Sequence, residues 1–163
     1  MRVEPPLDES PDLVGVSASV RRSLLLPRPR LRGVMHRVAV PSTVVAGIWL
    51  VARAPAGADR LGAAIFACGA LLMFVASSLV HLRRWSIPVF EALFRLDHVA
   101  IFILIATSAT PVGISVLSGR SATFLLWAVW IGAAIGISLR LLPFHPPKGL
   151  MNSLFLGLGW VPV

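Results

Sequence analysis

Three stretches of this chain, Leu61–Val80, Val99–Gly119 and Ser121–Leu139, contain no Asp, Glu, Lys or Arg across twenty, twenty-one and nineteen residues. A helix needs about 20 apolar residues to cross a hydrocarbon core roughly 30 Å thick, and each stretch meets that length. In a water-soluble fold such runs would have to be buried on every side. A chain of 17.5 kDa cannot assemble a core large enough for three of them. Only 13% of the residues are charged, against about 25% in ordinary soluble domains. Two further segments flank the three. Val38–Ala52, extended upstream through Gly33, carries Pro41 and lies beside Arg37, and Gly149–Val163 closes the sequence. The fold class expected is therefore all-α, a polytopic transmembrane helix bundle. About five spans are present, at approximately 33–53, 61–82, 96–117, 121–142 and 149–163. Residues 30–163 form this domain, and residues 1–29, rich in Pro, Asp and Arg, read as a flexible cytoplasmic tail. Within the tail, Val14–Leu26 has a weak pattern for a short interfacial helix.

The net charge of +8 raises the question of nucleic acid. Position answers it, because the basic residues sit beside the apolar runs rather than along a groove-binding face. Arg2, Arg21, Arg22, Arg28, Arg30, Arg32 and Arg37 precede the first span. Arg83, Arg84 and Arg95 follow the second, and Arg140 and Lys148 follow the fourth. The alternate connections hold only Arg53, Arg60 and Arg120, so twelve of the fifteen lie on one side. Basic residues stay cytoplasmic, which puts the N-terminus inside and nucleic acid outside the expected partners. No apolar h-region of a cleavable signal occurs in the first thirty residues, so the first span serves as its own insertion signal. The single cysteine, Cys68, falls inside the second run and has no partner in the chain for a disulfide.

Ala54–Asp59 reads as a compact outer loop, His81–Arg95 as a longer inner connection with Trp85 and Pro88, and Ser118–Ser121 as a tight outer turn. Pro143–Pro147 separates the fourth and fifth spans. In the fourth span, Gly132-x-x-x-Gly136 offers small residues at the spacing that lets helices approach closely in lipid. Packing against a neighbouring span is the plain reading, and a homo-oligomer seam is the sharper one.

Ionisable groups within membrane helices are costly, so each needs a reason. Ser77 and His81 lie four apart at the inner end of the second span, hence on one helical face. Asp97 and His98 open the third span at the same end. Imidazole and carboxylate are both good zinc ligands, and a nearby hydroxyl can hold a water. The plain alternative makes His81 the end of an apolar stretch beside Arg83 and Arg84, with Asp97 paired to Arg95 or another cation in a boundary salt bridge of small net worth. His36 and Arg37 have the same reading as interface anchors, and His145, between Phe144 and Pro146, reads as a loop residue.

Several of these strings resemble the haemolysin III branch of the progestin and adipoQ receptor family. Pro29-Arg30-Leu31-Arg32-Gly33-Val34-Met35-His36 is similar to the start of its first span in actinobacterial proteins. Ser77-Ser78-Leu79-Val80-His81 resembles its Ser-x-x-x-His motif. Arg95-Leu96-Asp97-His98, followed by Thr110-Pro111, resembles its third span, and Gly157-Leu158-Gly159-Trp160 its fifth. The resemblance covers about residues 27–163. It implies seven spans in the cell membrane and a zinc site near the cytoplasmic face. His81 and Asp97 would supply metal-site residues, with Asp97 holding a water on the metal, and Ser77 would be an accessory polar group. The resemblance also implies a His-x-x-x-His pair in a seventh span. The 163 residues contain no such pair, so the expectation is a chain lacking the last two spans and part of the metal site.

Three functions follow as expectations. One is a metal-dependent membrane hydrolase acting on a lipid amide, with Asp97 orienting or deprotonating the water and Ser77 beside it. Another is a cytolytic, pore-forming protein, although the spans offer few polar groups beyond Thr107, Ser108 and Thr110 and no charged ring. The last is a receptor-like or scaffolding bundle without turnover.

Overall fold

A computed structural model describes residues 34–82, 85–142 and 148–161. The tail, its interfacial helix, His145 and the basic pair Arg83 and Arg84 lie outside the described residues. Five helices follow in order: α1 (Val34–Arg53), α2 (Ala58–Leu82), α3 (Ile87–Pro111), α4 (Gly119–Leu141) and α5 (Lys148–Trp160). The first four are long and apolar enough to cross a membrane, with α3 prolonged through Val116. At thirteen residues, α5 is about 20 Å long, shorter than the hydrocarbon core. The chain is thus an all-helical polytopic bundle among the described residues, and consecutive helices run in opposite directions.

Small residues set how closely the helices approach. The buried positions of α2 are Gly62, Ala63, Gly69, Ala70, Ala76, Ser77 and Val80, and α2 and α3 form the most extensively packed pair. A Cβ at Gly62 would stand 3.1 Å from the Pro111 Cα, and one at Gly69 would overlap the Thr107 hydroxyl. In lipid no hydrophobic force pushes helices together, so this close van der Waals fit is what holds them. The main core is built by Phe102, Ala106 and Ala109 of α3 with Leu125, Val129 and Ala133 of α4 and Leu158 of α5. The two glycines of the fourth span are used inside the chain: Gly136 faces the Phe102 ring and Gly132 faces Leu158.

The hydroxyls of α3 satisfy themselves on the backbone, as a bilayer favours. Thr107 Oγ1 donates to the Ile103 carbonyl and Thr110 Oγ1 to the Ala106 carbonyl, both at 2.8 Å. Trp130 Nε1 then donates to Thr110 Oγ1 at 3.1 Å, a bond from α4 to α3. Trp130→Phe is expected to destabilise the bundle by about 0.6 kcal/mol, the usual value for an interhelical hydrogen bond in a membrane. Unfolding in mixed micelles by a denaturing detergent reads this, and a loss above about 2 kcal/mol would show that the indole does more than bond.

The third helix departs from the expected span. It begins at Ile87, well before residue 96, with Ser86 at its N-cap and Pro88 in its first turn. Proline suits that turn because the amide it lacks would have no helical partner there. The charges at Glu91 and Arg95 end the apolar run without ending the helix, since Arg95 Nη2 donates to Glu91 Oε1 at 3.0 Å one turn away. The connection between α2 and α3, expected as a longer one over His81–Arg95, is therefore short. Trp85 Nε1 donates to the Leu79 carbonyl at 2.8 Å and ties it to α2. At the other end of α3 Pro111 lacks the amide that would continue the ladder. The chain widens into one π turn, Val112–Val116, in which the Leu117 amide bonds the Val112 carbonyl at 3.0 Å.

Candidate functional site at one end of the bundle

Alternating helix directions bring the start of α1, the end of α2, the start of α3 and the end of α4 to one end. His36, Ser77, His81, Asp97, His98 and Arg140 gather there. Ser77 is buried, while His36, His81, Asp97, His98 and Arg140 are half-buried.

The register of the α2–α3 pair follows from Gly62 against Pro111 and Gly69 against Thr107. Carried along at equal rise, it sets Asp97 at about the depth of Ser77 and roughly one turn, about 5 Å, deeper than His81. Helix side chains tilt toward their own N-terminus. In antiparallel helices that tilt leans His81 inward and Asp97 outward, toward each other. Helical periodicity also settles the side. At about 100° per residue, Ala70, Phe74, Ser77 and His81 share the side of α2 between its contacts with α1 and with α3. Asp97, Ile101, Leu104 and Ser108 share a side of α3 turned from both its α2 and its α4 contacts. Taking the right-handed turn of both helices into account, Asp97 and His81 project from the same side of the pair. The other side holds a shallow apolar pocket of about 330 Å³ lined by Ile65, Cys68, Leu72 and Ile103.

The boundary pair expected between Asp97 and Arg95 is not formed by those residues, because Arg95 bonds Glu91. The reason is register: Glu91 stands one full turn from Arg95 on the same face, whereas Asp97 is two residues on.

His36 is the residue that sequence reasoning undervalued. Its ring lies 6.1 Å from the His81 ring and 6.3 Å from that of Phe74, between centroids. Forty-five positions separate the two histidines, so no local spacing signals the pair. Only the antiparallel packing of α1 on α2 does.

Beside this group, α3 carries an aromatic ladder at intervals of four. Phe90 and Phe94 stack at 6.0 Å, Phe94 and His98 meet at 4.6 Å, and Phe102 stacks on Phe155 of α5 at 4.4 Å. His98 Nδ1 is 2.8 Å from the Phe94 carbonyl, which can only accept, so Nδ1 carries a hydrogen. Arg140 of α4 lies over the Phe94 ring at 5.4 Å, with Nη2 3.4 Å from His98 Nδ1. Among the described residues, two buried side-chain polar atoms lack a hydrogen-bond partner, Ser78 Oγ and Arg140 Nε. Both lie at this end of the bundle.

On the side where Asp97 projects, the donor chemistry is the imidazoles of His36 and His81 and one carboxylate, groups of the kind that bind a borderline cation such as zinc. Among the described residues, no group of three or more His, Cys, Asp or Glu side chains already converges on one point. Two facing rings therefore form the most nearly assembled part of the site.

Residues 25–163 match the sequence family described as haemolysin-III related. No solved structure matches the chain. With a match that spans all of the described helices and includes the Ser77, His81 and Asp97 motifs, the chain belongs to the haemolysin-III related family of multi-pass membrane proteins.

Proposed function

We propose that this end of the bundle faces the cytoplasm and serves as a zinc-dependent hydrolytic site for a lipid amide in the plasma membrane. The observation that carries the reading is that Ser77, His81 and Asp97 project from one side of the α2–α3 pair, with Asp97 at the depth of Ser77 and within about one turn of His81. His81 is a ligand through one ring nitrogen. Asp97, within a turn of it, accepts a proton from water, and the Ser77 hydroxyl orients that water or the substrate carbonyl. Bound zinc would polarise the carbonyl and make the attacking water more acidic. A lipid amide sits at headgroup depth, where α2 ends and α3 begins, while its acyl chain remains in hydrocarbon. The carboxylate is the group whose loss matters most to proton transfer.

Purified protein in liposomes containing an N-acyl sphingoid lipid and equimolar zinc is expected to release free fatty acid. Asp97→Asn is expected to slow that release by about 10²- to 10⁴-fold, the usual range for a lost general base. Liposomes in which the wild-type chain with zinc releases nothing above the lipid-only control would sink the hydrolase reading. It would leave a receptor-like or scaffolding role.

A further inference from the structure

An open groove of about 560 Å³ runs between α1 and α2. Ala64 and Cys68 line both this groove and the smaller apolar pocket beside α3, so the groove lies on the side of the bundle away from Asp97. We propose that it seats one anionic phospholipid, with an acyl chain along the two helices and the phosphate on Arg60. Two observations carry this, one of length and one of charge.

On α1 the lining runs from Thr43 to Ala52, and on α2 from Arg60 to Leu71. At 1.5 Å per residue these stretches are about 14 and 17 Å long. That is the depth of a single leaflet, half of a hydrocarbon core roughly 30 Å thick. A spanning helix, whether of a second copy or of another protein, would need a seam through both leaflets. An acyl chain needs only one. The groove owes its depth to small side chains: α1 meets α2 where a Cβ on Gly47 would stand 3.1 Å from the Ala67 Cβ, and Ala64 and Cys68 continue the lining beside that contact.

Arg60 is the one charged residue lining the groove, and it stands at the end by the α1–α2 turn, where a headgroup would lie. Its Nε and Nη2 donate to the Ala54 carbonyl at 3.2 and 3.1 Å. A guanidinium has five N–H donors in a planar fork. The Ala54 carbonyl thus fixes the fork and leaves it donors for phosphate oxygens, which guanidinium matches in geometry. The other charged groups of this turn, Arg53 and Asp59, do not line the groove. Arg53 lies instead over the Trp49 ring at 5.8 Å. The charge presented to a lipid here is therefore positive and single. A seated chain would also add dispersion contacts to α1, none of whose residues is fully buried and whose extensive packing is against α2 alone.

The test uses the full chain in nanodiscs with a phosphatidylglycerol that carries a photoactivatable diazirine in its acyl chain, the labelled residues being mapped by mass spectrometry. Labelling is expected to concentrate on the groove residues of α1 and α2. Unlabelled phosphatidylglycerol is expected to compete about fivefold better than phosphatidylcholine, the equivalent of about 1 kcal/mol for one arginine near an anionic lipid. Arg60→Gln is expected to abolish that preference, and Ala64→Phe to remove the groove labelling by filling the space. Equal competition by the two lipids in the unaltered chain would overturn the proposal, as would a preference unchanged in Arg60→Gln. Should Arg60→Gln fail to fold, Ala64→Phe decides, and undiminished groove labelling in it overturns the proposal. A dimer whose formation shields the groove from the probe would give this face to a second copy and overturn it equally.

Discussion

Gly136→Val is expected to prevent α3, α4 and α5 from assembling as they do, and to do so through one ring. A Cβ at Gly136 would overlap one edge of the Phe102 ring. That ring has no exposed surface and is stacked on Phe155 at 4.4 Å. Its only escape is to separate the helices. Overpacking costs about 1–3 kcal/mol where neighbours can yield, and the upper end applies where the neighbour is a rigid ring clamped from the other side. Phe102→Ala is expected to cost about 3 kcal/mol, the lower end of the range for truncating a buried phenylalanine. The lower end applies because lipid removes the transfer from water and leaves chiefly lost dispersion contacts. Since the two changes act on the same space in opposite senses, the double variant is expected to recover at least about 1 kcal/mol relative to their sum. Detergent-induced unfolding of the four proteins in mixed micelles measures this. Additivity to within about 0.5 kcal/mol would show that Gly136 and Phe102 do not share a pocket.

The other large effect concerns the whole molecule. A reporter fused before Met1 is expected to be shielded from impermeant reagents in intact cells, because six arginines precede α1 and Arg37 lies in its first turn, whereas only Arg53 and Arg60 flank the turn between α1 and α2. Replacing Arg28, Arg30, Arg32 and Arg37 by Ser, while changing Ala54 and Ala56 to Arg, is expected to expose the reporter in a large fraction of molecules. Arg60 donates to the Ala54 carbonyl at 3.2 Å from Nε and 3.1 Å from Nη2. The turn between α1 and α2 is therefore already a place where a guanidinium lies against the backbone. Labelling of the unaltered N-terminus from outside would reverse the orientation and move the His36, His81 and Asp97 group to the external face. The chemistry proposed there would then need an extracellular substrate.

The bilayer and the helix count were legible because both rest on one-dimensional quantities. A charge-free run of the right length has no other stable home, and Leu61–Val80, Val99–Gly119 and Ser121–Leu139 each became part of a membrane-length helix. The start of α3 was not legible in the same way. Apolarity ends at Arg95, but a helix ends only where its hydrogen-bond ladder does, and Glu91 with Arg95 carries it through the charged turn to Ile87. Ser77, His81 and Asp97 stood out because polar groups at the edge of apolar helices are rare and costly. His36 did not stand out, since a histidine beside Arg37 at a helix start has an ordinary explanation when nothing says what it faces.

Sequence alone determined that these residues form apolar helices in a bilayer, which family they belong to, and which end collects the arginines. Those are properties of composition along a line, set by the cost of placing charge in hydrocarbon. Only the tertiary structure decided that Gly136 receives Phe102 and Gly132 receives Leu158 within the chain, and that His36 meets His81. It likewise decided that Asp97 projects on the side of His81 rather than over the apolar pocket. Rotation and register of one helix against another are set by close packing of small residues, and that information lies in no single segment.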